Sequence, residues 1–205
     1  MLTESVAKCM IGYWAISDRV LLVRIKGNSF NICIIQVYAP TTQHEEDEMD
    51  KFYREVQSAK DQCNQHEMII VMGDLNAKVE NERFDEVVGP WGLGDKNDRG
   101  KRWIEWCIEN KQKIGITWFR HHSRHLWTWK SPGDRSRSQI DYITISKRFR
   151  NALTQVKTYP GADCSSDHVP VIATIKHKLK KIVKKNIIPK RQLITLRKNE
   201  DIKIR

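Results

Sequence analysis

The sequence predicts an α/β (α+β) sandwich with largely antiparallel strands, on three observations. Short strand-like runs recur along most of the chain. Two longer stretches repeat at helical spacing. Clusters of Gly, Pro, Asn, Asp and Ser separate these segments. At 205 residues the chain is the size of one ordinary domain, able to bury a good core.

The elements follow in order. Residues 20–25 and 31–38 are strand-like and flank "KGNS", whose Gly27-Asn28 pair is a hairpin turn signal. A helix fits residues 46–65. Met49, Phe52, Tyr53, Val56, Ala59 and Cys63 mark one face, and Glu45, Glu46, Asp47 and Glu48 suit the positive end of its dipole. A strand at 68–72 ends in Gly73, and residues 80–97 read as a long surface loop. A second helix fits 98–111, with Trp103, Ile104, Trp106, Cys107 and Ile108 as its apolar side. Further strands are expected at 114–119, 126–130, 139–146, 155–159 and 169–175, with "SPGDRSRS" as a polar turn. Beyond Lys176 the alternation fails, and "KHKLKKIVKKNIIPKRQ" fits either a basic amphipathic helix broken before Pro189 or a linker. The expected organisation is a domain over 1–178 and a basic tail over 179–205.

Charge separates the same two parts. Net charge is +11, and residues 176–205 hold 12 Lys/Arg against Glu200 and Asp201, a net +10. The other 24 Lys/Arg face 23 Asp/Glu, so the body is nearly neutral. Such a tail is either a solvated end or a grip on a polyanion, most simply DNA, with Lys180, Lys181, Lys184 and Lys185 as contacts. It carries no sequence specificity. No apolar run approaches the roughly 18 residues of a membrane span. The first residues, "MLTESVAKCMIGYWAISD", lack the pattern of a secretory signal. Five scattered cysteines without a C-x-x-C pair argue against a disulfide framework or zinc site. The expected setting is intracellular, and the Lys/Arg tail nominates the nucleus.

Candidate chemistry starts at "MIIVMGDLNAKV", where a buried-looking strand delivers Asp74 and Asn76 at its end. This is either a turn or a site; on an extended chain the two side chains would share a face. Asp141 lies in "SQIDYITIS", a strand apolar on both faces, where a carboxylate costs several kcal/mol unless a cation or donor meets it. An exposed edge strand is the plain alternative. Asp167 and His168 lie in "CSSDHVPV" just before a strand, and a lone His is more often structural. Together these groups supply what phosphodiester hydrolysis needs: carboxylates for a divalent cation, a base, and donors for phosphate charge. "HHSRH" at 121–125 reads as a basic loop beside such a site rather than a metal cluster.

In order, "QVYAPTT", "MGDLNAKV", "GLGDKNDRG", "WTWKSPG", "SQIDYITIS" and "SSDHVPV" resemble the endonuclease/exonuclease/phosphatase superfamily. More narrowly, they resemble the apurinic-type endonuclease domain of non-LTR retrotransposons and the related craniofacial development protein 2-like sequences. The resemblance spans about residues 18–178. It implies a four-layered sandwich of two sheets with outer helices and a site at one end of the sheets. It implies that Asp74 orients or deprotonates water, that Asn76 holds phosphate or that water, and that Tyr38 donates to a phosphate oxygen. Asp141 would fix His168, which when protonated contacts phosphate, and Asp167 with Asp74 would bind Mg²⁺ or Mn²⁺. Thr128 and Ser166 match supporting positions. The family pattern also has an Asn and a Glu on strands well upstream of the Tyr38 motif; here the sole preceding glutamate is Glu4. The chain therefore resembles the family without its first strands, and stops where a retrotransposon protein would continue into a reverse transcriptase. Two functions are expected to compete: a Mg²⁺-dependent DNA-nicking endonuclease, with a phosphatase as a weaker variant, and an inactive remnant that binds nucleic acid through its tail.

Overall fold

Alternating apolar residues at 20–38 build the start of a sheet. After a short α1 (Glu4–Ala7), β1 (Met10–Ala15), β2 (Val20–Ile25) and β3 (Ile32–Tyr38) follow, each antiparallel to the next. The computed structural model describes residues 1–41, 46–162 and 165–177. Lys180, Lys181, Lys184 and Lys185, with most of the basic tail, lie outside the described residues.

α2 (Glu46–Asp61) crosses over to β4 (Met68–Asp74), which pairs parallel with β3. The crossover fits the 3.6-residue spacing: Met49, Phe52, Val56 and Ala59 are buried. α3 (Asp98–Glu109) is capped by Asn97, whose side chain accepts from Gly100 N. It leads into β5 (Gln112–Ile114). The short pair β6 (Trp129–Lys130) and β7 (Arg137–Ser138) precedes β8 (Asp141–Ser146), which inserts antiparallel between β4 and β5. The six-stranded order is β1-β2-β3-β4-β8-β5, a mixed sheet with one parallel pair. β9 (Leu153–Thr158) and β10 (Val171–Ile175) form a separate antiparallel pair.

A single apolar cluster joins β2, β3, β4 and β8 to α2, α3 and β9. α2 covers the face of Cys33, Ile35 and Val37, all but fully buried. Val23 and Ile34 on the other face stay half-buried, and Gln36 is exposed.

Three expectations need correction, and one strand went unread. Residues 114–119 are not a strand: β5 stops at Ile114 and a 3₁₀ turn follows over Gly115–Trp118. There the Thr117 hydroxyl donates to Ile114 O, and a Cβ on Gly115 would lie 2.7 Å from Ile143 O. Side chain–backbone bonding and close packing override the apolar pattern. Of residues 126–130, only Trp129–Lys130 pairs as strand. "SPGDRSRS" is more than a turn, because Arg137–Ser138 at its end pairs back onto Lys130 and Trp129. β1 was not legible as a strand: its residues are mostly exposed, with Tyr13 and Trp14 outward, so it shows no period-2 burial.

Candidate active site

Register brings the candidate residues together. β3 and β4 are parallel, so both deliver their last residues to the same end of the sheet, and Tyr38 pairs with Asp74. β8 runs the other way, so its first residue arrives there, and Asp141 pairs with Asp74. Arg19, just before β2, accepts the Tyr38 N–H on its carbonyl. One row therefore crosses four strand positions: Arg19, Tyr38, Asp74, Asp141.

Gly73 makes the approach of β4 to β3 possible. Its φ is 144°, and a Cβ there would lie 1.8 Å from Val37 O. Immediately after Asp74 the extended chain ends. Leu75 N donates to Ile140 O, and Asn76 turns into the left-handed region with φ 47°. The shared face expected for Asp74 and Asn76 on a continuing strand is thus corrected. Asn76 N donates to Asp74 Oδ1 at 2.8 Å, and Asn76 Nδ2 donates to Ala39 O at 2.9 Å. The turn and the site expected as alternatives are one structure: the Asx-type turn holds the carboxylate.

The far side is built from 128–130 and 167–169. Val169 N donates to Thr128 O, Lys130 N donates to Asp167 O, and Trp129 bridges His168. This places His168 Nδ1 3.0 Å from Asp141 Oδ2. Thr128 is fully buried, and its hydroxyl accepts from Ile140 N at 2.9 Å and Asp141 N at 3.1 Å. It fixes where β8 begins. Ser166 Oγ accepts from His168 N at 3.1 Å, bracing the same segment.

The electrostatics follow from burial and pairing. Burial pushes the Asp74 carboxyl up to about 6; the Asn76 N–H opposes this, and the neighbouring Asp141 charge adds to it. The Asp141 hydrogen bond raises the His168 imidazole above its ordinary range, against burial. Asp167 is exposed at the rim, and the Trp129 indole N–H, 2.7 Å from its Oδ2, lowers its carboxyl.

Among the described residues, Asp74, Asp141 and His168 are the group whose ligand atoms lie close enough to share a metal ion, all within 4.8 Å of one another. Two facing carboxylates suit a hard cation, which takes oxygen donors. His168 Nδ1 is already engaged by Asp141, so the ring fits a hydrogen-bonding role better than a ligand role. Asp167 stands outside that close group. Tyr38, the register partner of Asp74, is 51% exposed.

Sequence reasoning passed over two residues. Trp129 holds Asp167 through its indole N–H, a partner 38 positions away of which its own stretch gives no sign. Arg19 was not singled out, although the hairpin centred on "KGNS" sets it opposite Tyr38 once its register is counted. The histidines of 121–125 bind backbone: His121 Nε2 meets Val156 O at 2.8 Å and His125 Nδ1 meets Thr158 O at 3.3 Å.

Comparison with known proteins adds an independent line. A family model described as endonuclease-reverse transcriptase matches residues 32–172. Craniofacial development protein 2 of Bos taurus is 41% identical over 190 residues, covering 93% of this chain and 31% of that protein. The Tragulus javanicus protein of the same name is 40% identical over 190 residues, covering 93% and 32%. The chain spans about a third of the length of these curated relatives. Among solved structures, the endonuclease domain of TRAS1, a telomere-specific non-LTR retrotransposon, is similar with TM-score 0.62 at 16% identity, covering 82% of this chain and 67% of that one. The Xenopus laevis APE2 catalytic domain gives TM-score 0.61 at 20% identity, covering 81% and 58%. At these identities the structural likeness is one of fold.

Proposed function

The chain belongs to the endonuclease-reverse transcriptase family, and we propose that it is a Mg²⁺- or Mn²⁺-dependent phosphodiesterase that nicks DNA. The observation that carries this is the Asp74–Asp141–His168 group at one sheet end, with Tyr38 beside it. A cation held by Asp74 and Asp141 would supply charge stabilisation for the phosphoryl oxygens, with Asp167 at the rim outside that close group.

The side chains divide the remaining work. Asp74, once ionised, orients the attacking water and accepts its proton. Asn76 spends its amide N–H on Ala39 O, which leaves its oxygen to hold that water. Asp141 keeps His168 protonated and aimed, so the imidazolium donates to a phosphate oxygen. The Tyr38 phenol donates to another. Thr128 and Ser166 position Asp141 and His168.

A second reading, DNA binding without cleavage, is favoured by one observation: among the described residues the close group offers two carboxylates, Asp74 and Asp141, with His168. Glu4 sits far from it, in α1 (Glu4–Ala7), paired with Lys8. α1 leads into Met10, which pairs with Ile25 at the sheet end opposite Asp74. The basic tail would grip DNA under either reading, and a nuclear location accords with both.

A plasmid-nicking assay with Mg²⁺ separates them. The proposed enzyme nicks, and Asp74→Ala and His168→Ala each lose at least about 100-fold. Equal nicking by all three proteins would remove the mechanism. No nicking by any, with salt-sensitive DNA binding retained, selects the second reading.

A further inference from the structure

We propose that Arg19 is a phosphate-binding residue that holds the DNA strand on the Tyr38 side of the site, away from the scissile bond. This rests on the reading of the site as a DNA-nicking centre. Arg19 stands at the catalytic end of the sheet, opposite Tyr38, with its carbonyl on the Tyr38 N–H. Its guanidinium carbon lies 5.5 Å from the Tyr38 ring centroid, and Nη1 reaches Tyr38 O at 3.5 Å. No described carboxylate forms an ion pair with it. Asp18, Glu48 and Glu55 line one pocket with Arg19, and of these Glu55 takes the Ser17 hydroxyl at 2.7 Å and lies 3.8 Å from Lys51 Nζ. A guanidinium braced on an aromatic face keeps most of its five donors for an anion and loses little entropy on binding one.

Distance sets which phosphate it meets. Neighbouring strands lie about 4.8 Å apart, so the Arg19 backbone is about 10 Å from that of Asp74 along the row, while its guanidinium lies nearer, over the Tyr38 ring. With Tyr38 on the reacting phosphate, the guanidinium beside its ring is placed for the adjoining phosphate of the same strand. The row then has a direction: cation, phenol, carboxylates, imidazole. The nucleic-acid backbone crosses the sheet end perpendicular to the strands, anchored at Arg19 and cleaved beside His168.

The test compares wild type with Arg19→Ala and Arg19→Lys, using a fluorescently labelled duplex of about 20 base pairs titrated across salt concentrations. Arg19→Ala is expected to flatten the slope of log K against log salt by about one and to weaken binding several-fold. Arg19→Lys restores the slope but not the full affinity. In nicking, KM rises while kcat stays within about threefold. An unchanged salt slope overturns the proposal, and a loss confined to kcat overturns it in favour of Arg19 positioning Tyr38. Thermal unfolding of each variant excludes a folding defect as the cause. DNA binding without nicking by wild type sinks the cleavage reading while the slope still decides Arg19. No DNA binding by wild type sinks both.

Discussion

Asp141 is the direct register partner of Asp74 across the β4–β8 pair, and its carboxylate also holds His168 at 3.0 Å. Two acids at adjacent strand ends are thus fixed by backbone pairing, not by flexible loops. Whatever sets the start of β8 sets the site.

Thr128 sets it. Its buried hydroxyl accepts the N–H groups of both Ile140 and Asp141. Thr128→Val keeps the shape and removes the acceptor, leaving two buried donors unpaired at about 1–3 kcal/mol each. A drop of about 2–4 kcal/mol is expected in urea unfolding, with nicking reduced more than stability alone explains. Thr128→Ser should recover most of both. A stable Thr128→Val with full nicking would show that β8 starts at Asp141 without this hydroxyl.

Asp141→Asn tests the imidazole. In the native protein the Asp141 hydrogen bond raises the His168 pKa, so the folded state binds the proton more tightly than the unfolded one. The stability gained is complete below the ordinary histidine value of about 6.5 and is lost as pH rises through the raised folded value. In Asp141→Asn, an NMR titration of His168 should move downward and that part of the pH-dependent stability should vanish. Nicking should fall most on the alkaline side, where the imidazolium is no longer maintained. A His168 titration that stays put would assign its raised value to another neighbour.

The elements with a clear period were legible in the sequence. Residues 20–25 and the two helix cores stood out because one face of each is buried. The strand ending at Met72 was legible as an apolar run closed by Gly73. The candidate group was legible as residue types: Asp74, Asp141 and His168 stand out in the sequence, and the fold brings them within 4.8 Å of one another. What was hidden came from long-range pairing. β1 has no buried face to reveal it, and the 3₁₀ turn after Ile114 depends on packing against Ile143 and Leu153. Likewise, the left-handed Asn76 depends on Ala39 O, and the Trp129–Asp167 bond links residues 38 positions apart. Local periodicity carries no information about such partners.

Asp74→Asn should stabilise the protein free of divalent cations. Burial pushes the Asp74 carboxyl up to about 6 from 3.8, so the charged form is the disfavoured one. For a raised carboxyl the favourable contribution is complete below the unfolded value and is lost as pH rises through about 6. At pH 7.5 the native acid therefore carries a penalty that a neutral amide does not. Allowing for solvent screening of this half-buried group, the gain is about 1–2 kcal/mol. That corresponds to a rise of about 3–6 °C in Tm. At pH 4 the two proteins should unfold together. Calorimetry at both pH values checks this, and a destabilised Asp74→Asn at pH 7.5 would mean that the carboxylate is held by donors stronger than the Asn76 N–H.

Cation binding should act on the same balance with the opposite sign. A divalent ion between Asp74 and Asp141 favours both carboxylates ionised, so it relieves the penalty that burial imposes on Asp74. At 10 mM Mg²⁺ and a dissociation constant of about 1 mM, the native state gains about 1.4 kcal/mol, a few degrees in Tm. Asp74→Asn, already relieved of the charge and lacking one ligand, should show little of that shift. The acid limb of nicking should also lie below about 6 when Mg²⁺ is present, because the ion lowers the Asp74 pKa. Melting curves with Mg²⁺, with Mn²⁺ and with chelator make the comparison. If neither ion moves the wild-type Tm while DNA binding persists, two carboxylates are too few to hold the cation and the domain binds without cutting.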